Sequence, residues 1–400
     1  MWRKHTWAKL VLVGSMLLFG AVILAQQTGL TPQQDAWLRK AQIGPYQPEV
    51  EDWDAIYQAA KAEGKVVILS LSSRIYQVVE SFKAAYPGIE VEAYDMTDVQ
   101  QIEKLTREQG AGIYTIDVLF LAGTTTLVKE LLPQRLIWNY VPTTLVDGVL
   151  ATDAIPEEFR SPLLVHSVES KVVFYNFETY PTPPVTSLWD LTRPEWKGRV
   201  QFKDPLTTEE NMNFLQMVVK NADLMAAAYQ ATFGTPIVLS PGIPNAGYEW
   251  IKRLADNGLV ITKSDGDATK ACGTPGQAKP PLAIASSSKI RDNEKGQVLA
   301  IGWDLSPVAG LSKLNYMSIA NLAPHPNAAK LLIQWMLGDG GGGAGYDPFY
   351  VKGQWSSRIV ARNPLPEITL DTLRARTWFV DPDWVYEHGL QVQDFWLTLR

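Results

Sequence analysis

The sequence has little of what metal sites and disulfide frameworks require, with one cysteine and four histidines among 400 residues. The single cysteine, Cys272, excludes an intrachain disulfide framework and a Cys-rich metal site. Lysine and arginine do not cluster after the N-terminus, and the formal net charge is −6, so the charge pattern does not favour nucleic-acid binding. None of the four histidines stands at metal-ligand spacing from another: His5, His166, His325 and His388.

Common catalytic motifs are also missing. There is no nucleophile elbow, no P-loop and no H-E-x-x-H. Glu157-Glu158 and Glu209-Glu210 are adjacent pairs, which point about 100° apart on a helix and do not form a carboxylate dyad. Gly338 to Gly343 matches a dinucleotide fingerprint, but a helix is predicted before it where a strand should stand. The sequence therefore predicts no enzyme and no cofactor, and a two-lobed enzyme whose catalytic pair forms only in space stays open.

A long apolar run occurs only at the N-terminus. A basic head that ends at Lys9 is followed by an uncharged, mostly apolar run from Leu10 to Ala25. This is the layout of a signal peptide, and the run is shorter than the ~18–20 residues of a comfortable membrane span. We therefore expect residues 1–25 to be a signal peptide or signal anchor, residues 26–51 to be a linker or N-terminal arm, and the body to be periplasmic or secreted. Contact with a membrane is expected only through the N-terminal segment, if it stays uncleaved.

The next part of the chain has the pattern of an open parallel sheet. A capped amphipathic helix from Trp53 to Glu63 precedes a nearly unbroken apolar strand, Lys65 to Leu71. Further strands and helices alternate as β-α-β-α-β, which predicts an α/β fold. We expect a first lobe at 52–172, a second lobe at 173–299, and a return to the first lobe with C-terminal helices at 300–400. The strand Val172 to Asn176 would leave the first lobe near a hinge at Tyr175-Asn176.

Hydroxyl side chains recur where predicted strands give way to helices. In open α/β sheets ligands bind beyond the carboxyl ends of the strands, where helix N-termini converge. A single group of hydroxyl side chains at such a position is more often a helix cap than a binding site. Four such groups, each after a predicted strand, favour a cleft lined by hydroxyls and backbone N–H donors. Asp204 either accepts a hydrogen bond from the ligand or only turns its loop. The predicted ligand-binding residues are Ser72, Ser73, Thr124, Thr125, Tyr175, Asp204, Thr207, Thr208, Ser286 and Ser287.

Four segments, taken in order and spacing, resemble the bacterial extracellular solute-binding proteins of ABC importers. The similarity is to the branch that includes ferric-ion, putrescine, thiamine and phosphonate binders, and it covers roughly Trp53 to Trp355. The resemblance implies a two-lobed, type 2 periplasmic-binding-protein fold in which each lobe is an open, mostly parallel sheet flanked by helices, with strand hinges between the lobes. The segments are Asp52 to Ser70, Val172 to Asn176, Trp189 to Asn211 and Ala323 to Leu337.

The resemblance implies a receptor that captures a small polar or anionic ligand between its lobes and delivers it to the membrane subunits of an ABC importer. Ferric-ion binders of this group have two adjacent tyrosines after a second-lobe strand. This chain has Ser286-Ser287-Ser288 there and no Tyr-Tyr pair anywhere, which disfavours iron. Arg74 either serves as a charge partner for an anion or points to solvent. A membrane-tethered sensor and a ferric-ion binder remain alternatives, and the latter requires that scattered tyrosines converge in the fold: Tyr76, Tyr175, Tyr316 and Tyr346.

Overall fold

The computed structural model describes residues 29–359, 362–365 and 367–400, and within them twelve strands form one continuous sheet. The predicted signal segment, residues 1–25, lies outside the described residues. In chain order the strands are β1 (Lys65–Ser70), β2 (Glu90–Asp95), β3 (Val118–Leu121), β4 (Ile137–Trp138), β5 (Leu164–Asn176), β6 (Val200–Lys203), β7 (Val260–Thr262), β8 (Leu282–Ser286), β9 (Leu299–Ile301), β10 (Gly310–Ala320), β11 (Trp355–Ser356) and β12 (Thr377–Phe379).

The helices flank this sheet, and no described helix combines the length and apolarity that crossing a membrane requires. A nine-residue 3₁₀ segment, Ser287–Lys295, follows β8. The α-helices are α1 (Pro32–Ala41), α2 (Trp53–Glu63), α3 (Ile75–Ala85), α4 (Asp98–Gly110), α5 (Thr124–Thr126), α6 (Ala151–Ala154), α7 (Glu209–Lys220), α8 (Ala222–Phe233), α9 (Ala246–Asp256), α10 (Asp265–Gly273), α11 (Pro326–Leu337), α12 (Gly343–Tyr346), α13 (Leu370–Arg376) and α14 (Pro382–Thr398).

The first half of the molecule is built on β1, β2 and β3. β1 pairs in parallel with both β2 and β3, and the connections run through α3 and α4, which confirms the predicted β-α-β-α-β pattern. Asp52 caps α2 by accepting a hydrogen bond from the amide of Ala55, and Gly64 ends the helix with a φ of 79°. Left-handed backbone of this kind suits glycine because it has no Cβ.

The segment predicted as a linker or arm instead contains a helix. Thr31 and Gln34 form a reciprocal capping box at the start of α1, and Pro32 occupies its first turn. Leu38, on this helix, is fully buried in the first core. Residues 29–51 are therefore part of the folded first half.

Two long antiparallel strands connect the halves. β5 and β10 pair with one another along most of their length. The C-terminal end of β10 pairs with β3 in the first half, whereas the C-terminal part of β5 pairs with β8 in the second half. The backbones approach so closely that a Cβ at Gly310 would lie 2.0 Å from the carbonyl oxygen of Lys171. Because both strands run through both halves, bending them moves one half relative to the other.

The second half repeats the layered arrangement. β6 pairs in parallel with β7 and β8, and α7 and α9 pack over the sheet with Phe214 and Trp250 in the interior. α10 follows β7, and Ser264 caps it by accepting a hydrogen bond from the amide of Asp267. A small separate cluster beside β8 includes the fully buried Cys272.

Two large hydrophobic cores confirm the predicted α/β fold with two lobes. The first core draws on residues 30–168 and 316–373. The second core draws on residues 173–311 and 385–396, so it continues beyond the predicted boundary at 299 and includes one face of α14. Residues 300–400 therefore serve both halves, because the chain crosses between them on β10 and returns at its end.

Candidate functional site

Two adjoining cavities lie between the halves. The large cavity measures about 780 Å³ and is walled by the start of α4 and the loop after β3 on one side and by the start of α7 and α10 on the other. The small cavity measures about 390 Å³ and is walled by the loop after β1 and by the start of the Ser287–Lys295 segment. Three side chains line both cavities: Ser286, Lys289 and Lys313. The two cavities therefore form one continuous cleft.

Six of the ten predicted ligand-binding residues line this cleft. Ser72 and Ser73 line the small cavity, whereas Thr124, Thr207 and Thr208 line the large one. Ser286 stands at the junction. Hydroxyl-bearing loops far apart in the sequence thus meet at one cleft, because each follows the carboxyl end of a strand in a sheet that both halves share.

The other four predicted ligand-binding residues do not line either cavity, and each has a structural role instead. Thr125 is buried, and its backbone amide donates to Glu209. Tyr175 packs in the second core. Asp204 accepts the amide of Leu206 and pairs with Arg400 at 2.6 Å. Ser287 is fully buried, and its hydroxyl accepts a hydrogen bond from the amide of Ser170 and donates one to the carbonyl of Gly353.

A buried network of charges supports the floor of the large cavity. Lys171 on β5 is 1% exposed, and its Nζ lies 2.8 Å from Asp265 and 3.3 Å from Glu210. Burial lowers the pKa of Lys171, but the two carboxylates outweigh it and hold that pKa above its ordinary value. Burial raises the pKa of Asp265, but Lys171 overcomes this effect and brings it to about 2. Ser286 completes the network by donating its amide to Asp265 and its hydroxyl to Glu210.

Glu209 bridges the two halves across the large cavity. It stands in the first turn of α7, and its carboxylate accepts the amide of Thr125 at 3.1 Å and the hydroxyl of Thr126 at 3.3 Å. Burial raises the pKa of Glu209 despite these hydrogen bonds, and the nearby charge of Asp98 raises it further. Gly123 permits the contact, because a Cβ there would lie 3.1 Å from the carboxylate.

Glu209→Ala is expected to destabilise the protein by about 1–3 kcal/mol, since the buried amide of Thr125 would lose its acceptor. Glu209→Gln keeps an oxygen acceptor and resembles the protonated carboxyl, so it should cost less than about 1 kcal/mol. Urea unfolding of both variants measures the difference. Equal losses in the two variants would show that the hydrogen bond to Thr125 contributes nothing.

Basic side chains surround the small cavity. Arg74 follows β1 and donates to Gln354 at 3.3 Å, and Arg291 reaches the same cavity from the Ser287–Lys295 segment. Lys289 and Lys313 face it as well, opposed by Asp95 and Glu169. The small cavity therefore has an excess of two positive charges on its walls.

Sequence reasoning missed most of these charged groups. Glu209 and Glu210 were considered only as a carboxylate dyad and rejected, although they directly follow the predicted Thr207-Thr208 loop. Lys289 directly follows the serine loop, so its place in the chain was a usable signal. Nothing in the sequence points to Lys313, because it lies in the middle of a strand whose register decides which way it faces.

The structure does not favour a phenolate iron site. None of the four scattered tyrosines lines either cavity. Tyr316 is buried and donates to Thr124, Tyr346 is buried beside His166, and Tyr76 is half exposed on α3. In the described part of the chain, no group of three or more His, Cys, Asp or Glu side chains is placed to hold a metal ion.

Comparisons with known proteins place this fold among binding proteins. No family model matches the chain, and the search of curated proteins found no relative. Among solved structures, iron-bound HitA from Pseudomonas aeruginosa is similar at a TM-score of 0.62 and 17% identity, covering 84% of this chain and 99% of that one. A putative extracellular solute-binding protein from Bordetella parapertussis matches at 0.62 and 12% identity, with the same coverage of 84% and 99%.

A third structure, MotA from Agrobacterium tumefaciens B6 in complex with glucopine, matches at a TM-score of 0.54 and 13% identity, covering 84% of this chain and 99% of that one. All three identities are low, so the likeness establishes the fold and leaves the ligand to be argued from this chain's own residues. With its two cores, its shared β5 and β10 and its cleft between the halves, the chain has the two-lobed α/β fold of the periplasmic solute-binding proteins.

Proposed function

We propose that this protein is an exported receptor that captures a small polar or anionic solute between its halves and delivers it to the membrane subunits of an ABC importer. The observation that carries the proposal is the continuous cleft whose walls come from both halves. A ligand there would contact both halves at once and would therefore favour the closed arrangement over an open one.

The proposed contacts follow from the cleft walls. Ser72, Ser73 and Thr124 would serve from the first half, and Thr207, Thr208 and Ser286 from the second. Hydroxyls both donate and accept hydrogen bonds, so they suit a polar solute. Thr208 supports this role because its buried hydroxyl has no hydrogen-bond partner in the described structure.

Delivery of the ligand to an importer agrees with both the fold and the predicted signal segment. A binder releases its ligand unchanged, which agrees with the absence of recognised catalytic motifs in the sequence. A membrane-tethered sensor would use the same cleft and differ only in keeping its N-terminal segment. N-terminal sequencing of the exported protein separates these two uses.

A thermal-shift panel tests the proposal. It contains glycerol 3-phosphate, methylphosphonate, citrate, putrescine, thiamine and Fe³⁺. A solute present at 100 times its dissociation constant should stabilise the folded protein by about 2.7 kcal/mol, because it binds only the folded state. A panel without any stabilising solute would contradict the receptor function. A visible charge-transfer band with Fe³⁺ would instead revive the ferric-ion alternative.

A further inference from the structure

The small cavity holds more positive charge than the protein itself neutralises. Among the described residues, neither Arg74 nor Arg291 has a carboxylate oxygen within 4 Å of its guanidinium, and Lys289 has none near its ammonium. Lys313 is the exception, with Glu210 at 3.8 Å. Three of the four cations that line the small cavity thus have no carboxylate partner in the described structure and can bind an anionic ligand.

The two arginines approach the cavity from different halves. Arg74 belongs to the loop after β1, and Arg291 to the segment after β8. Burial lowers the pKa of the half-buried Arg74, and the positive charge of Arg291 lowers it further, although Glu169 and Tyr346 offset part of this effect. The two groups therefore repel each other across the cleft. An anion placed between them would replace this repulsion with two attractions and would draw the halves together.

We propose, building on the receptor function above, that the ligand carries a phosphoryl or phosphonyl dianion that is held in the small cavity between Arg74 and Arg291. A carboxylate has two oxygens, and one guanidinium fork satisfies both of them. A tetrahedral phosphoryl group has three terminal oxygens, so it can accept from two forks at once.

A second observation indicates that the ligand also carries hydroxyl groups. Asn315 is 1% exposed and lines the small cavity, yet its side-chain oxygen has no hydrogen-bond donor in the described structure. A hydroxyl next to the phosphoryl group would supply that donor. The rest of the ligand would extend past Lys289 into the large cavity, where the hydroxyl of Thr208 has no hydrogen-bond partner in the described structure. The ligand class is therefore a small phosphorylated or phosphonylated polyol.

Isothermal titration calorimetry with glycerol 3-phosphate as the probe tests this assignment. We expect binding to the wild type, and a loss of about tenfold to a hundredfold in affinity for Arg74→Met and for Arg291→Met, since each removes a charged hydrogen-bond donor. Arg107→Met, on an exposed position of α4 that does not line the cleft, is the matched control and should bind like the wild type.

The melting temperatures of the ligand-free variants show whether a loss of binding results from misfolding. Because Arg291 has no carboxylate partner in the described structure, Arg291→Met should leave the melting temperature of the ligand-free protein unchanged or raise it. Arg74→Met also removes the donor of the buried Gln354 side-chain oxygen, so its melting temperature is expected to fall slightly. Inorganic phosphate and glycerol, titrated separately, show which part of the probe supplies the affinity, and phosphate is expected to account for most of it.

Different outcomes separate this inference from the receptor function. Tight binding of putrescine, thiamine or citrate that survives both methionine substitutions would overturn the phosphoryl assignment and leave the receptor function standing. Binding of glycerol 3-phosphate with equal affinity to wild type and both variants would likewise remove the two arginines from the site. If no solute of any class binds, both proposals fail together.

Discussion

Lys171→Met is expected to destabilise the protein by about 3–5 kcal/mol at neutral pH. The substitution removes the only cation within 3.5 Å of Asp265 and Glu210 that the structure describes and leaves both carboxylates beneath the cleft. Removing one partner of a buried ion pair costs this much because the remaining charge is desolvated without compensation. Methionine fills nearly the same volume, so the loss reports the charge rather than a cavity. Urea denaturation followed by circular dichroism measures it.

Lys65→Met is the matched control. Lys65 forms an ion pair with Glu92 at 3.1 Å, but both side chains are about 40% exposed. Exposed pairs contribute about 0–1 kcal/mol because water screens them. If Lys171→Met costs no more than Lys65→Met, the buried network does not hold the floor of the cleft.

Acid should weaken the same network. The pKa of Asp265 is held at about 2 in the folded protein, below the ordinary 3.8. A carboxyl whose folded pKa is depressed stabilises the fold above its unfolded value and loses that contribution as the pH falls through the folded one. About 2 kcal/mol should therefore disappear between about pH 4 and pH 2. The pKa of Glu210 is also lowered, because Lys171 and Lys313 outweigh its burial, so it adds in the same direction.

Comparison with Lys171→Met isolates this effect. The raised pKa of Glu209 has the opposite sign, since a carboxyl of that kind favours the fold at low pH, but it is present in both proteins and cancels. The difference in unfolding free energy between wild type and Lys171→Met should shrink by about 2 kcal/mol from pH 5 to pH 2. A difference that stays constant over this range would show that Lys171 does not depress the pKa of Asp265.

Local patterns in the sequence predicted most of the fold. Periodicity and caps predicted α2 and β1 within a residue, because these elements are determined by their own side chains. The capping box at Thr31 and Gln34 was also visible, and α1 was missed only because its polar composition suggested a linker. Ser264, the N-cap of α10, is a helix-start signal of the same kind.

The cleft was predictable only in part. Loops that carry hydroxyl side chains meet at the cleft because the carboxyl ends of the strands converge. The position of these loops directly after strands is visible in the local sequence pattern. Which hydroxyl faces the cleft depends on the turn: Thr124 lines it, but the next residue, Thr125, points about 100° away on the helical turn. The role of Asp204 depends on Arg400, which is far away in sequence. Such pairings arise from tertiary packing, and no local rule supplies them.

The central claim is that a solute closes the two halves on each other, and a spin-label distance measurement tests it directly. Cys272 is fully buried, and burial raises the pKa of its thiol to about 12, so it should stay unlabelled. Cysteines introduced at the exposed Val50 and Val238 would report from the two halves. With the panel solute that gives the largest thermal shift, we predict that the distance distribution moves and narrows to one population. A distribution that no solute changes, even at saturation, would contradict the account.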